Sequence, residues 1–401
     1  MPRLSGLLAL FTAAFAAVLT KLLPAGLLPE LSGALGVPQA RAGLLVTGYA
    51  LASAVAAIPL TAALRGLPRR TVLMAAITAF AAFNAVSALS SGFVLTLGSR
   101  VLAGVADGVM WSMLAGYAAR MVPEEWRGRA IALVLAGITV AMSVGLPLGA
   151  ALASAVGWRA AFAALSVVAV LLLLWVRRSV PPFPGEPAAR RMPVRRVAAL
   201  PGVRVVLATT LVVLLGHQAV YTYLAPLSAR AGLPHAGVAL LVFGAATPVG
   251  IWLAGLVSDR PGLGGPRAVL LGCLAGLGLA MAVLGLLGGG ALALLAAVAV
   301  WGCAFGGAPT ALQTSLVASS GPGGAEVATA MQATVYNLGI ALGSLLGGLV
   351  LAGPGAAALP WAALPLFVLA LALVGAGRTE RVEDAGPAQG FTDASPGAGR
   401  G

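Results

Sequence analysis

Twelve apolar stretches, each about 20 residues long, dictate what this chain can become. They run roughly over 5–28, 42–64, 71–89, 94–119, 130–155 and 160–176, then 205–227, 237–257, 268–288, 291–317, 328–351 and 360–376. Each is long enough to cross a hydrocarbon core of about 30 Å as a helix. Strands of a membrane barrel would alternate over segments of about ten residues, and no such alternation is visible. Only 9% of the residues are charged and 60% are hydrophobic, where soluble domains carry about 25% charge. That excludes a soluble enzyme, a soluble binding module and a disordered chain. Arg3 alone precedes the first stretch and eleven more follow, which argues against a cleaved leader. Cys273 and Cys303 both lie inside apolar runs, so neither a disulfide framework nor a thiolate metal site is implied.

A net charge of +13 would ordinarily raise nucleic-acid binding. Its placement says otherwise. With the N-terminus inside, the inner loops and termini hold Arg3, Arg65, Arg69, Arg70, Arg120, Arg127, Arg129, Arg177, Arg178, Arg190, Arg191, Arg195, Arg196, Arg204, Arg260, Arg267, Arg378, Arg381 and Arg400. The outer loops hold only Arg41, Arg159 and Arg230. This asymmetry is the positive-inside pattern, so the basic charge is topological and no nucleic acid is expected as a partner. Both termini are expected in the cytoplasm, with the chain multi-pass in the cell membrane.

Residues 177–204 are polar, Arg-rich and broken by Pro181, Pro182, Pro184, Pro187 and Pro193. They read as a cytoplasmic linker between two six-helix bundles, 1–176 and 205–376. The tail, 377–401, is rich in Gly, Pro and Asp and reads as disordered. The halves look like a diverged repeat offset by about 194 residues. On that offset Gly145 and Gly149 match Gly339 and Gly343, Trp111 matches Phe305, and Arg65 matches Asp259. Secondary transporters are often built this way, with substrate near the midplane between repeats.

Lys21, Arg100 and Asp107 are the charges deep inside spans; the remaining acids sit in loops or tails. A charge at a helix centre costs about 2.5–3.5 kcal/mol on insertion scales. Such residues persist with partners or with a function. Arg100, Gly104, Asp107 and Trp111 share one helix face by their spacing. At 1.5 Å per residue, Asp107 lies about 20 Å below the outer edge of its span, and Arg100 about 9 Å. Lys21 lies about 10 Å below the outer end of span one, so its reach to Asp107 is near the limit. Two cations at similar depth would repel, so either Asp107 or an anionic or strongly polar substrate is expected to neutralise them. Burial opposes a charged carboxylate and neighbouring cations favour it, which suits Asp107 to proton coupling. His217 is the second candidate, because imidazole titrates near neutral pH. A static cluster that locks helices one and four is the alternative reading.

Other polar side chains dot the spans: Tyr49, His217, Gln218, Tyr221, Tyr223, Gln313, Gln332, Tyr336 and Asn337. Amides in hydrocarbon need partners or water, so each is either cavity lining or glue between helices. Asn84 reads as a helix–helix contact. Trp111 can stack on a flat ligand or pack on glycine. Gly145/Gly149 and Gly339/Gly343 are GxxxG pairs that allow close helix approach. Pro147 can kink span five. Close contacts of this kind suit two halves rocking about a central site, and equally suit plain tight packing.

Several segments carry a resemblance. LLPAGLLPELSGALGVPQARAGLLVTGYALASAVAAIPLTAALRGLPRR (22–70), RVLAGVADGVMW (100–111), GITVAMSVGLPLGAALASAVGWRAAF (137–162) and GLVSDR (255–260) resemble the major facilitator superfamily. They look most like its drug:proton antiporter branch, near the arabinose-efflux and chloramphenicol-resistance permeases. The loop LTAALRGLPRR departs from the branch in lacking the Gly and Asp of the general loop motif. Lys21 stands where many relatives hold an acid, and Asp107 where many hold a histidine. The resemblance implies an all-α membrane fold of twelve helices in two pseudo-symmetric six-helix bundles. It implies that spans one, four, seven and ten line a central cavity, flanked by two, five, eight and eleven. Tyr49, Trp111, His217, Gln218, Tyr221, Gln313, Tyr336 and Asn337 would then face substrate, and Asp259 and Arg260 would act in gating. A monomer is usual in such proteins.

The function expected from all this is proton-coupled efflux of a small organic molecule or drug by alternating access. The partners are lipid, the substrate and protons. The alternative is a proton-independent uniporter or importer of a small polar metabolite such as a sugar or nucleoside. No GxxxxGK[ST] sequence is present, so nothing supports ATP hydrolysis, and no cofactor is implied. Two histidines and one deep acid do not assemble a convincing membrane enzyme, and no selectivity filter suggests a channel.

Overall fold

Inside a bilayer a backbone has no water to bond to, so only a helix or a closed barrel satisfies it. The apolar stretches accordingly form helices. A computed structural model describes residues 4–64, 66–123, 126–185, 194–233, 235–258, 265–287, 289–320 and 325–376. Among these, twelve helices are long and apolar enough to cross a membrane. Their flanks expose large apolar side chains, among them Leu171 at 60%, Trp252 at 62% and Leu349 at 65%. Hydrocarbon surroundings, not water, suit such a surface.

The first half holds α1 (Leu4–Gly26), the short α2 (Leu28–Leu35) and α3 (Gln39–Ala42), then α4 (Leu44–Ala63), α5 (Arg69–Leu89) and α6 (Phe93–Arg120). Span five is divided into α7 (Arg127–Val140), a π turn over Ala141–Gly145, and α8 (Leu146–Val156). Span six is α9 (Trp158–Ser179). A five-residue helix, α10 (Val194–Ala198), lies between the halves. The second half holds α11 (Pro201–Tyr221), the short α12 (Leu224–Arg230), α13 (Ala236–Ser258), α14 (Gly265–Leu287), α15 (Ala291–Ser319), α16 (Ala325–Ala352) and α17 (Leu359–Ala376).

Three details differ from the sequence reading. Spans one and seven each stop early and restart as a short helix. The residue at the break has nearly the same conformation in both halves: Leu27 at φ −119°, ψ 19° and Tyr223 at φ −111°, ψ 28°. Pro24 lies inside the last turn of α1, and Pro29 and Pro226 lie in the first turns of α2 and α12. First-turn positions need no N–H partner within the helix, so proline fits there. The bend expected at Pro147 takes the form of the π turn just before it, where the Leu146 N–H donates to the Ala141 carbonyl five residues back. Pro147 has no N–H to give Ser143, and the wider turn absorbs the gap.

The third detail concerns the GxxxG pairs. A Cβ on Gly145 would meet Phe15, and one on Gly149 would meet Leu23, both on α1. A Cβ on Gly339 would meet Leu214, and one on Gly343 the Leu215 carbonyl, both on α11. All four therefore serve packing within their own half, and not the contact between halves that rocking would use. Between the halves the close glycines are others. Gly43 and Gly348 make room for the Tyr223 hydroxyl, and Gly244 lies against the Met142–Ser143 backbone.

The halves meet where α16 packs along α4 and α13 packs on α8 and the π turn. Tyr223 Oη donates to the Ser344 carbonyl at 3.0 Å, and Ser344 Oγ donates to the Gly43 carbonyl at 3.1 Å. These contacts gather at the end that carries the α1–α4 and α11–α13 connections. Toward the opposite end, α6 and α15 keep Ser112, Gln313 and Thr314 partly or fully exposed.

Candidate functional site

Two glycines place the charges. On α6, a Cβ at Gly104 would collide with the Tyr49 carbonyl, and one at Gly108 would come within 2.6 Å of the Ser53 carbonyl. Their absence lets α4 lie directly on α6. Asp107, between them, then receives the Ser53 hydroxyl on Oδ2 at 2.9 Å. Lys21 reaches the same oxygen from α1 at 3.2 Å. The four-carbon stem of lysine covers the depth difference that the helix arithmetic had left near its limit. Asp107 is wholly buried and the Lys21 side chain is 9% exposed.

Lys21 has a second bond. Its Nζ donates to Asn337 Oδ1 at 2.7 Å. Asn337 is on α16, in the other half, and its own Nδ2 donates to the Ala333 carbonyl at 3.2 Å. One ammonium thus joins the carboxylate of its own half to the amide of the other. A charge-assisted hydrogen bond of this length is among the stronger non-covalent contacts available.

Arg100 is separate from the ion pair. It is fully buried, and its Nη2 donates to the Thr20 carbonyl at 2.7 Å. Its guanidinium lies 4.4 Å from the Tyr49 ring centroid and 5.5 Å from that of Phe162. Among the described residues no carboxylate comes within ion-pair distance of it. Aromatic faces hold this cation, and the Asp107 carboxylate acts on it at longer range. Lys21 Nζ also stands 5.9 Å from the Tyr49 ring centroid and 5.8 Å from that of Trp111. Buried atoms here without a hydrogen bond of good geometry include Asp107 Oδ1, Thr20 Oγ1, and Arg100 Nε and Nη1, and the Tyr49 hydroxyl faces the Asp107 carboxylate.

The second half repeats the frame with different contents. Gly302 lies against the Phe243 carbonyl and Gly306 against the Thr247 carbonyl, as Gly104 and Gly108 lie against those of Tyr49 and Ser53. The offset in this helix is 198 residues, from Gly104 to Gly302. Phe305 therefore occupies the place of Asp107, which corrects the pairing of Trp111 with Phe305 drawn from an offset near 194. His217 precedes the Tyr223 break by the same interval as Lys21 precedes Leu27. Where Lys21 and Asp107 form an ion pair, His217 and Phe305 stack at 3.7 Å between centroids. Trp301 Nε1 donates to His217 Nδ1 at 3.0 Å. Indole N–H is a donor only, so Nδ1 accepts and this imidazole is neutral. Tyr221 and Phe243 complete the cluster at 5.1 and 5.8 Å from the imidazole. Thr247, with no carboxylate to serve, donates to its own helix at Phe243.

Residues 10–344 match the family described as the Major Facilitator Superfamily. The chain belongs to this superfamily. It is 29% identical over 342 residues to a protein of Mannheimia succiniciproducens named as a probable sugar efflux transporter, covering 84% of this chain and 85% of that one. It is 38% identical over 244 residues to a chloramphenicol resistance protein of Streptomyces lividans, covering 59% and 62%. The crystal structure of the human organic anion transporter MFSD10 superposes with a TM-score of 0.70 at 20% identity, over 93% of this chain and all of that one. At that identity the likeness speaks for the fold alone, two six-helix bundles.

Within this facilitator fold only some of the sequence candidates meet. Lys21, Tyr49, Arg100, Asp107, Trp111 and Asn337 come together. His217 and Tyr221 lie in the aromatic cluster, and both are about 1% exposed. Gln218 Nε2 donates to Thr222 on its own chain segment at 2.9 Å, and Gln313 Nε2 ties α15 to α16 through Thr329 at 3.0 Å. Tyr336 is half-buried against the core. Asn84, read as a contact between helices, donates to Phe80 of its own helix at 2.9 Å. Asp259 and Arg260 lie outside the described residues. The sequence reading missed Ser53, Phe243, Trp301 and the seam contact of Tyr223. Ser53 stands one helical turn after Tyr49 and could have been found from that spacing; Trp301 and Phe305 share a turn in the same way.

Proposed function

We propose that this chain is a proton-coupled exporter of a small organic molecule, working by alternating access as a monomer of the drug:proton antiporter branch. The observation that carries the reading is the Lys21 ammonium, bound at once to buried Asp107 and to Asn337 across the seam. Protonating Asp107 removes its charge, weakens its hold on Lys21, and so changes a contact between the halves. Moving the halves apart breaks the Asn337 bond and returns Lys21 to Asp107 alone. Each event therefore biases the other, which is what coupling requires. Efflux direction is supported by the Mannheimia succiniciproducens relative, which is named as a probable sugar efflux transporter. The arginine asymmetry supports a cytoplasmic N-terminus, with the joined end facing outward and the bundles 1–176 and 205–376 linked by 177–204 on the inside.

The test is transport in inverted membrane vesicles. Chloramphenicol and arabinose are the first probes. Acidifying the vesicle interior is expected to drive accumulation of at least one, and a protonophore to abolish it. Equal uptake with and without the gradient would replace antiport by the uniport reading.

A further inference from the structure

The charge count around Lys21 is unbalanced. Two buried cations, Lys21 and Arg100, face one carboxylate, Asp107. The elements packed around them add Ser53 and Tyr49 from α4, Thr20 from α1, Phe162 from α9 and Asn337 from α16, all neutral. His217 is uncharged and sits in its own cluster. The site therefore holds a net charge of +1 in a region with little water to screen it.

The aromatic faces reinforce this. An organic cation is usually received on the face of Trp, Tyr or Phe. Here those faces already have occupants: Arg100 lies over Tyr49 and Phe162, and Lys21 stands near Tyr49 and Trp111. The unpartnered atoms point to a different guest. Asp107 Oδ1, wholly buried, makes no hydrogen bond of good geometry, and Arg100 Nε and Nη1 are unmatched near it. A hydroxyl can donate a hydrogen bond to Asp107 and accept one from Lys21 at the same time. An anion would satisfy the ammonium but meet the carboxylate.

We infer that Lys21 and Arg100 make this a site for neutral, hydroxyl-bearing cargo and exclude organic cations. The inference rests on the transporter reading and adds its substrate class. A cationic group about 6 Å from the uncompensated charge binds about 100-fold more weakly than a neutral isostere at an effective dielectric near 20.

Binding to the full-length purified chain tests it, with tetraphenylphosphonium as the cation and chloramphenicol as the neutral scale. Wild type is expected to bind the cation at least about 100-fold more weakly than the neutral probe. Lys21→Gln brings the net charge to zero and is expected to raise cation affinity at least about tenfold. The double change K21Q/D107N restores +1 and is expected to exclude the cation again, which also controls for a damaged Lys21→Gln protein. Monodisperse elution of each variant establishes folding. Wild type holding the cation as tightly as the neutral probe would overturn the inference. So would folded Lys21→Gln and K21Q/D107N proteins that bind the cation alike. If tetraphenylphosphonium instead rides the pH gradient in vesicles, the charge rule fails while proton coupling stands. If no probe responds to the gradient but cations remain excluded, the coupling fails while the charge rule stands.

Discussion

Lys21 and His217 occupy equivalent places in the two halves, yet one sits in an ion pair and the other in an aromatic stack. Around Lys21 the equivalent positions hold Asp107, Tyr49 and Ser53; around His217 they hold Phe305, Phe243 and Thr247. The glycine contacts that set the helices together are the same in both. A repeated backbone has thus been filled once with charge and once with rings. The proposed coupling assigns the moving proton to the first arrangement. The second has its imidazole held by the Trp301 hydrogen bond and by ring stacking.

Transport should show the largest contrast. Asp107→Asn keeps the shape and removes the titration, and pH-gradient-driven uptake in inverted vesicles is expected to fall to the level of vesicles without the protein. His217→Phe removes the other titratable candidate from the aromatic cluster and is expected to retain most gradient-driven uptake. The reverse result would move the coupling group into the second half.

Stability should differ next. Lys21→Ala leaves the Asp107 carboxylate buried without its cation, a loss of about 3–5 kcal/mol in comparable cases. His217→Phe leaves Trp301 Nε1 without an acceptor, which costs about 1–3 kcal/mol. Thermal unfolding in detergent should therefore place Lys21→Ala below His217→Phe. Adding Asp107→Asn to Lys21→Ala should recover part of the loss, because the two residues touch. If the single and double changes unfold alike, the pair contributes little and the charges matter only for transport.

The fold was legible because bilayer physics leaves few options. Hydrocarbon demands helices, and twelve apolar stretches in two runs of six demand two bundles. The breaks at Leu27 and Tyr223 were not legible, since short apolar helices continue the hydropathy of the spans before them. Asp107 and Lys21 stood out because deep charges are rare, and their meeting was visible as a possibility. Asn337 was visible only as a polar residue in an apolar helix. Its bond to Lys21 depends on how α16 lies across α1 and α4, which no local pattern encodes. The aromatic cluster was hidden for a related reason. Phe243, Trp301 and Phe305 look like any lipid-facing residues until the glycines of α15 show which side of that helix meets α13.

The GxxxG pairs give the finest version of the comparison. Gly149 faces the tip of a flexible side chain, Leu23 Cδ1, at 2.7 Å from a built Cβ. Gly343 faces backbone, the Leu215 carbonyl at 2.5 Å, with Gln218 Cβ at 2.9 Å. A leucine methyl can rotate away, whereas a helix backbone must shift as a whole. Gly343→Ala is therefore expected to cost about 1–3 kcal/mol, the usual range for overpacking, and Gly149→Ala less than about 1 kcal/mol. Alanine also favours a helix over glycine by about 1 kcal/mol, which offsets much of the smaller penalty. Melting temperatures of the two single variants should separate with Gly343→Ala the lower. Equal values would mean that α16 and α11 move apart as readily as a side chain turns.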